Sequence, residues 1–300
     1  MGKLLYLVHR MPYPPNKGDK VRSYHLLKHL NTKHQVFLGT FVDDPDDLRH
    51  MDTLRGLCTE LHVARLHPRR AKLRSLGALL SGEALSLRYY RDAGLQAWVN
   101  QVMAEHKIDS IVIFSSVMVQ YVRLGAGKNA PPVLVDFVDV DSAKWTQYAD
   151  NHRWPLSWLY RREGQRLLAY ERKVAVQSTH SFVVTENEVA LFLRLAPECS
   201  DRVAALCNGV DAEFFAPDPA RASPFALVPV ADGSIALVFT GAMDYWPNID
   251  AVTWFVAEVL PLLLPRWPGL CFYIVGRNPP ASVLSLASDT NQVTASIFGQ

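Results

Sequence analysis

Lys3-Leu4-Leu5-Tyr6-Leu7-Val8, then a loop ending in Pro14-Pro15-Asn16-Lys17, then Gly18-Asp19 at the head of a helical pattern that runs to Leu30, is the stretch that decides the fold. A short, continuously apolar run fits a strand buried on both faces of a parallel sheet. The loop after it breaks the run with Pro and Gly, and the helix that follows returns the chain along the sheet. The same order recurs at Ile235-Ala236-Leu237-Val238-Phe239, with a turn at Gly241 and a helix opening near Asn248. Each copy reads as the opening of a nucleotide-binding-type α/β domain, so the chain is expected to contain two of them.

Working outward, strands are expected at 35–42, 60–64, 109–114, 132–137 and 180–185, with helical patterns between them over 19–30, 46–57, 91–106 and 187–195. A second series follows at 203–206, 235–240, 271–275 and 292–298. The boundary is placed at 198/199, giving domains 1–198 and 199–300, and the Pro-rich stretch 216–233 is read as a connection inside the second. A doubly wound domain needs five or six strands. The second series offers fewer, so the expectation is of a second domain that is incomplete, in a truncated, shifted or split product.

The bulk properties agree with a two-domain globular protein. The chain has 300 residues, 49% of them apolar, and a net charge of +2 that gives no argument for nucleic-acid binding. Its four cysteines lack metal-ligand spacing and read as buried thiols of a reducing compartment. No apolar run approaches the roughly 20 residues of a spanning helix, and the first run ends at His9-Arg10 rather than at a cleavage signal. A cytoplasmic protein is expected, with contact at the inner face of a membrane.

Several motifs sit where strands end. In open parallel sheets, ligands bind beyond the carboxyl ends of the strands. Gly18 would let a ligand approach the backbone there, and Asp19 would cap the helix whose amides face a phosphate. Cys207-Asn208-Gly209-Val210-Asp211 follows a strand and carries an Asn-Gly turn. Gly241 turns the chain after 235–240, with Asn248 as the expected cap of the next helix. Ile274-Val275-Gly276-Arg277 puts a guanidinium at the edge of the sheet, where it can hold phosphate oxygens two at a time.

Taken in order, Lys17-Gly18-Asp19, Cys207-Asn208-Gly209-Val210-Asp211 with Phe215 and Pro217, Phe239-Thr240-Gly241 and Ile274-Val275-Gly276 resemble glycosyltransferase family 4 and its relatives of the GT-B fold. Val135–Ser142 and Gly241–Asn248 look like the sugar transferases that accompany PEP-CTERM/exosortase exopolysaccharide systems. The resemblance implies an α/β protein of two Rossmann-like domains, the first on the acceptor side and the second holding a nucleotide-sugar. It implies a hexosyltransferase working on a polysaccharide or lipid-linked acceptor with anomeric retention, no metal and no cofactor, the nucleotide-sugar being a substrate. Gly18, Asp19, Asn208, Gly209, Gly241 and Arg277 would then contact the donor or its phosphates.

Two departures from the family pattern stand out. Trp246-Pro247-Asn248 occupies the place of a phosphate-binding Lys, and the Glu-bearing segment that grips the donor's ribose is not reached. Weak or absent turnover is therefore expected of this form. A non-catalytic pseudo-enzyme or split subunit that binds acceptor and joins a second chain is the alternative, and a nucleotide-sugar epimerase a third reading. Asp139-Val140-Asp141 also matches the Asp-x-Asp metal signature of the other main transferase fold. The other reading is a cleft-lining or helix-capping role, and Asp139 is also a candidate to orient an acceptor hydroxyl. His9, His25 and His180 read first as structural, and His25, which follows the glycine loop, is the preferred general-base candidate. Two basic stretches with apolar residues, Pro68–Leu76 and Arg153–Arg162, suit an anionic membrane surface.

Overall fold

The computed structural model describes residues 1–125, 127, 130–222, 235–287 and 293–296. The chain divides into two compact units, Met1–Asp211 and Ala212–Gln300.

The first unit is built on a seven-stranded, wholly parallel sheet in the order β3-β2-β1-β4-β5-β6-β7. Its strands are β1 (Gly2–Val8), β2 (His34–Val42), β3 (Glu60–Arg65), β4 (Ser110–Phe114), β5 (Val133–Val138), β6 (His180–Val183) and β7 (Val203–Ala205). Strand β1 pairs on one side with β2, Leu4 opposite Val36, and on the other with β4, Leu4 opposite Ser110. The winding therefore reverses between β1 and β4, which makes that edge the switch point where such sheets bind ligands.

The apolar run of β1 is explained by its two neighbours. Side chains alternate across a strand, so Leu4, Tyr6 and Val8 enter one core with Leu27 of α1 (Gly18–Asn31). Leu5 and Leu7 enter the other with Leu95, Trp98 and Val99 of α2 (Ala93–Glu105). All five are buried, and each such side chain contributes about 1.5–3 kcal/mol. Asp92 caps α2 by accepting from the Leu95 N–H at 2.9 Å. The expected helix over 46–57 forms as a 3-10 turn, Pro45–His50, and a short helix, Met51–Arg55.

After β5, helices α3 (Asp141–Asp150) and α4 (Leu156–Gln177) pack together. Gly164 makes this close approach possible: a Cβ there would lie 2.7 Å from Thr146 Oγ1 and 2.9 Å from the Ser142 carbonyl oxygen. Beside it, buried Glu163 accepts three hydrogen bonds, from the Leu85 and Ser86 N–H groups and the Ser86 hydroxyl, at 2.6, 2.9 and 2.6 Å. Helix α5 (Glu186–Leu195) follows β6, with Thr185 as its cap.

One expected assignment is overturned here. The sequence pattern puts residues 203–206 in the second domain, but β7 hydrogen-bonds to β6, with Ser181 opposite Val203. The strand completes the first sheet, so the division falls after Asp211 rather than at 198/199.

The second unit has a three-stranded parallel sheet in the order β10-β9-β8, from β8 (Ile235–Thr240), β9 (Leu270–Val275) and β10 (Val293–Ser296). Helix α6 (Trp246–Trp254) covers one face, where Leu237, Phe239, Phe272 and Ile274 share a core with Val252. Much of the Pro-rich connection and the ends of the expected strand 292–298 lie outside the described residues.

Replacing Gly164 by Ala is expected to destabilise the first unit by about 1–3 kcal/mol, because the Ser142 carbonyl is backbone and cannot swing aside. Urea denaturation followed by circular dichroism measures it.

Candidate functional site

The carboxyl ends of β1, β2 and β5 bring charged side chains to the switch-point edge. His9 and Arg10 leave β1 directly. The His9 N–H donates to the Phe114 carbonyl at 3.3 Å, tying the ends of β1 and β4 together. Its ring stacks on Phe114 (5.8 Å, 5° between planes) and meets Tyr90 edge-on at 5.7 Å. Held between these two rings, His9 points Nε2 at Asp19 Oδ2, 3.6 Å away, while its buried Nδ1 makes no hydrogen bond among the described residues.

Arg10 bridges two carboxylates. Its Nη1 donates to Asp19 at 2.8 Å and its Nε to Asp43 at 3.2 Å. Burial pushes the Asp19 carboxyl up, but the neighbouring His9 imidazole and the Arg10 charge outweigh it and hold Asp19 well below the usual carboxylate range. Asp19 was expected to cap α1. The capping position is instead Lys17, without a side-chain cap, and Asp19 sits in the first turn with its carboxylate committed to Arg10. Negative charge still suits that end of the helix dipole.

The end of β5 is held from three sides. Asp136 is gripped by Arg22 of α1, Nε to Oδ2 at 2.8 Å and Nη2 to Oδ1 at 3.2 Å, and the same guanidinium donates from Nη1 to Asn208 Oδ1 at 2.9 Å. The pairing of β5 with β6 shifts register between Asp136 and Val138. Val138 has φ +69°, and Ser115, just after β4, has φ +77°. A β-branched residue at positive φ is a true outlier; such positions cost about 1–3 kcal/mol each and persist where the surroundings impose them. Here the Val138 N–H donates to Asp136 Oδ1 at 3.1 Å and the Val140 N–H to Glu188 Oε2 at 2.7 Å.

This backbone presents Asp139 and Asp141 together. Both face Lys144, at 2.6 and 3.4 Å. Burial raises the Asp141 carboxyl and Asp139 adds to the rise, while Lys144 and His9 oppose it. The Asp141 side chain is 37% exposed. The pair that matches Asp-x-Asp thus converges on an ammonium. Among the described residues no group of three or more His, Cys, Asp or Glu is arranged to hold a metal ion. Beneath the pair, Ser142 donates to Glu171 Oε2 at 2.5 Å, and Oε1 of that buried carboxyl has no partner among the described residues. Burial pushes Glu171 up to about 8.

The expected residues fall in three places. Asp19 and Asp139 belong to the charged cluster. Gly18 lies exposed at the start of α1, with nothing within 4 Å of the position a Cβ would take, and Gly209 is equally open. Asn208, expected at the donor, belongs to the first unit and is tied to Arg22. His25, the preferred base, is exposed on α1 with its ring edge-on to Tyr24, and it joins none of the cluster's ion pairs. His180 begins β6, at the opposite edge of the sheet. His9 takes the central place instead, with Arg10, Asp43, Tyr90, Asp141, Lys144 and Glu171. A His-Arg pair directly following the first strand was the available signal.

In the second unit, β8 and β9 end in glycines that nearly touch: a Cβ on Gly276 would fall 1.8 Å from the Gly241 carbonyl oxygen. The Gly241 N–H donates to the Val275 carbonyl and the Met243 N–H to the Arg277 carbonyl, both at 3.0 Å. Asn248 does not cap α6, which is capped at Tyr245; its Nδ2 donates to the Ala242 carbonyl at 2.9 Å and fixes the turn after Gly241. Arg277 is half-buried, and its guanidinium makes no hydrogen bond or ion pair among the described residues.

Solved structures share this architecture. Sucrose-phosphate synthase from Thermosynechococcus elongatus matches with a TM-score of 0.63 at 14% identity, over 99% of this chain and 70% of that one. WaaG, a glycosyltransferase involved in lipopolysaccharide biosynthesis, matches at 0.56 and 16%, over 98% and 70%. The fold is GT-B. The N-terminal domain of trehalose-6-phosphate phosphatase from Candida albicans also matches, at 0.56 and 12%, over 100% and 73%. No family model and no curated protein matches the chain.

Glu171 generates a pH prediction. Between its ordinary value of 4.5 and about 8 the unfolded chain has lost this proton while the folded chain keeps it, so the group's contribution to stability falls as pH rises through that window. Urea midpoints taken near either end should show a loss toward the alkaline end that shrinks in Glu171→Gln.

Proposed function

We propose that the protein is a glycosyltransferase that moves a hexose from a nucleotide-sugar to a polysaccharide or lipid-linked acceptor, in exopolysaccharide assembly of the PEP-CTERM/exosortase-associated kind. The reaction retains anomeric configuration, uses no metal or cofactor, and takes place at the cytoplasmic face of a membrane. The observation that carries this reading is the converging ends of β8 and β9, where Gly241 and Gly276 strip the edge of side chains and Arg277 follows unpaired. Backbone groups and a free guanidinium at a strand edge are what a diphosphate needs. As the sugar leaves, negative charge builds on that diphosphate, and a preorganised cation stabilises it without reorganising.

The first unit supplies the acceptor side. The Asp19, Asp43, Asp139 and Asp141 carboxylates alternate with Arg10 and Lys144, so hydroxyl groups find acceptors and donors within one surface. His9, braced by Phe114 and Tyr90, is the group best placed to orient the attacking hydroxyl. Gly18 lets a substrate approach the start of α1, and Gly209 the segment after β7.

The test is a panel of nucleotide-sugars and lipid-linked or oligosaccharide acceptors, read by mass spectrometry. A glycosylated acceptor is expected with one donor. A panel in which no donor is consumed or bound overturns the reading; an altered sugar nucleotide with no acceptor consumed makes the protein an epimerase instead. Arg277→Ala should weaken donor binding about 10- to 100-fold, the size of one or two charge-assisted hydrogen bonds. Its circular dichroism and melting temperature should stay as in the parent. His9→Ala should lower turnover and leave donor affinity unchanged.

A further inference from the structure

The first unit carries a ridge of exposed apolar side chains that no fold requirement explains. Leu80 is 95% exposed, Trp154 80%, Leu73 72% and Trp158 55%. Scattered exposed apolar residues are ordinary, but a contiguous set marks an interaction site. The fold ties the segments that carry Leu80 and Trp158 together. Arg162 of α4 donates from Nη2 to the Ala78 carbonyl at 2.8 Å and from Nη1 to the Glu83 carbonyl at 3.1 Å, so it grips the chain on both sides of Leu80. Trp158 is one helical turn before Arg162 on the same face, and Trp154 precedes the first turn. Gly82, at φ +75°, reverses the chain two residues after Leu80 and leaves that side chain at the tip. Leu73 stands on the helix Pro68–Ser75, whose buried side is Ala71 and Ser75.

Charge on this ridge has one sign. Residues 65–82 contain five Lys or Arg and no acid; residues 151–162 contain three Arg and no acid. The carboxylates that flank these stretches in the chain, Glu83 and Asp150, are engaged, Glu83 with Arg88 and Arg91 and Asp150 with Arg161. Apolar tips with two indoles, flanked by cations in excess of carboxylates, are the chemistry of the boundary between lipid headgroups and acyl chains. No helix among the described residues is long and apolar enough to cross a membrane.

We infer that the ridge formed by Leu73, Leu80, Trp154 and Trp158 docks the protein on an anionic phospholipid surface, with Arg69 and Arg70 meeting the headgroup phosphates. This names the surface behind the peripheral membrane contact in the proposed function. Its test uses neither donor nor acceptor, so its failure and that of the sugar-transfer reading are separable.

The full-length chain is sedimented with vesicles of neutral phosphatidylcholine and with vesicles containing about 30% phosphatidylglycerol. Binding to the anionic vesicles alone is expected, weakened in roughly 0.5 M salt. The double variant Leu73→Asp/Leu80→Asp changes only exposed positions and should lose at least about tenfold in vesicle affinity, each charge opposing both insertion and the anionic surface. Arg69→Glu/Arg70→Glu should do the same. Brominated lipids should quench the fluorescence of Trp154 and Trp158, with less quenching in Trp154→Phe/Trp158→Phe. Absence of vesicle binding, equal binding to neutral and anionic vesicles, or full binding by the Asp variant overturns the inference. So does concentration-dependent dimerisation that the Asp variant abolishes while vesicle binding persists, which would make the ridge an interface between copies.

Discussion

The buried pair Arg22–Asp136 is the contact on which the arrangement of the first unit's strand-end edge depends. Its side chains are 8% and 3% exposed, and one guanidinium serves both Asp136 oxygens and Asn208. In a single contact it joins α1 to the end of β5 and to the segment after β7. A buried ion pair adds little net stability beyond an apolar substitute, but losing one partner strands the other at a cost of about 3–5 kcal/mol. That asymmetry gives the pair a structural meaning: it fixes register. With Asp136 held, its Oδ1 is directed at the Val138 N–H, the bulge follows, and the residues after it are delivered to the edge.

That edge is an arrangement of compensated charge rather than a positive pocket. Arg10 lies between Asp19 and Asp43, and Lys144 between Asp139 and Asp141. Each cation lies within reach of two carboxylates, and each carboxylate retains lone pairs for a further donor. Such a surface suits a neutral, hydroxyl-rich ligand better than a phosphate. The second unit differs: there an arginine with no partner among the described residues stands beside bare backbone. The backbone tension at Ser115 and Val138 falls at the strand ends that carry the first arrangement, where strained residues concentrate in functional sites. Asp136 and Glu188 accept from the Val138 and Val140 amides at this bend.

Much of the fold was legible because it rests on local pattern. The apolar runs of β1, β4, β5, β8 and β9 and the helix periodicities between them required no knowledge of contacts. The assignment of β7 failed for the opposite reason. Three residues with one buried side chain cannot announce which sheet they join, and only the hydrogen bonds to β6 settle it. Asp19 and Asn248 do not cap for a related reason: both side chains are good caps, and in both a tertiary partner or a neighbouring turn takes the polar atoms.

The site divides along the same line. The amino-acid sequence by itself determined that glycines and an arginine would stand at the ends of parallel strands, because a strand's direction and its closing turn are local properties. Only the tertiary structure decided that His9 rather than His25 occupies the charged edge. It alone brought Asp43 and Asp19 to one guanidinium, and turned Asp139 and Asp141 toward a lysine. Those residues come from strands and loops far apart in the chain. What unites them is the order β3-β2-β1-β4-β5, and strand order is fixed by packing and pairing over the whole sheet, which no single segment encodes.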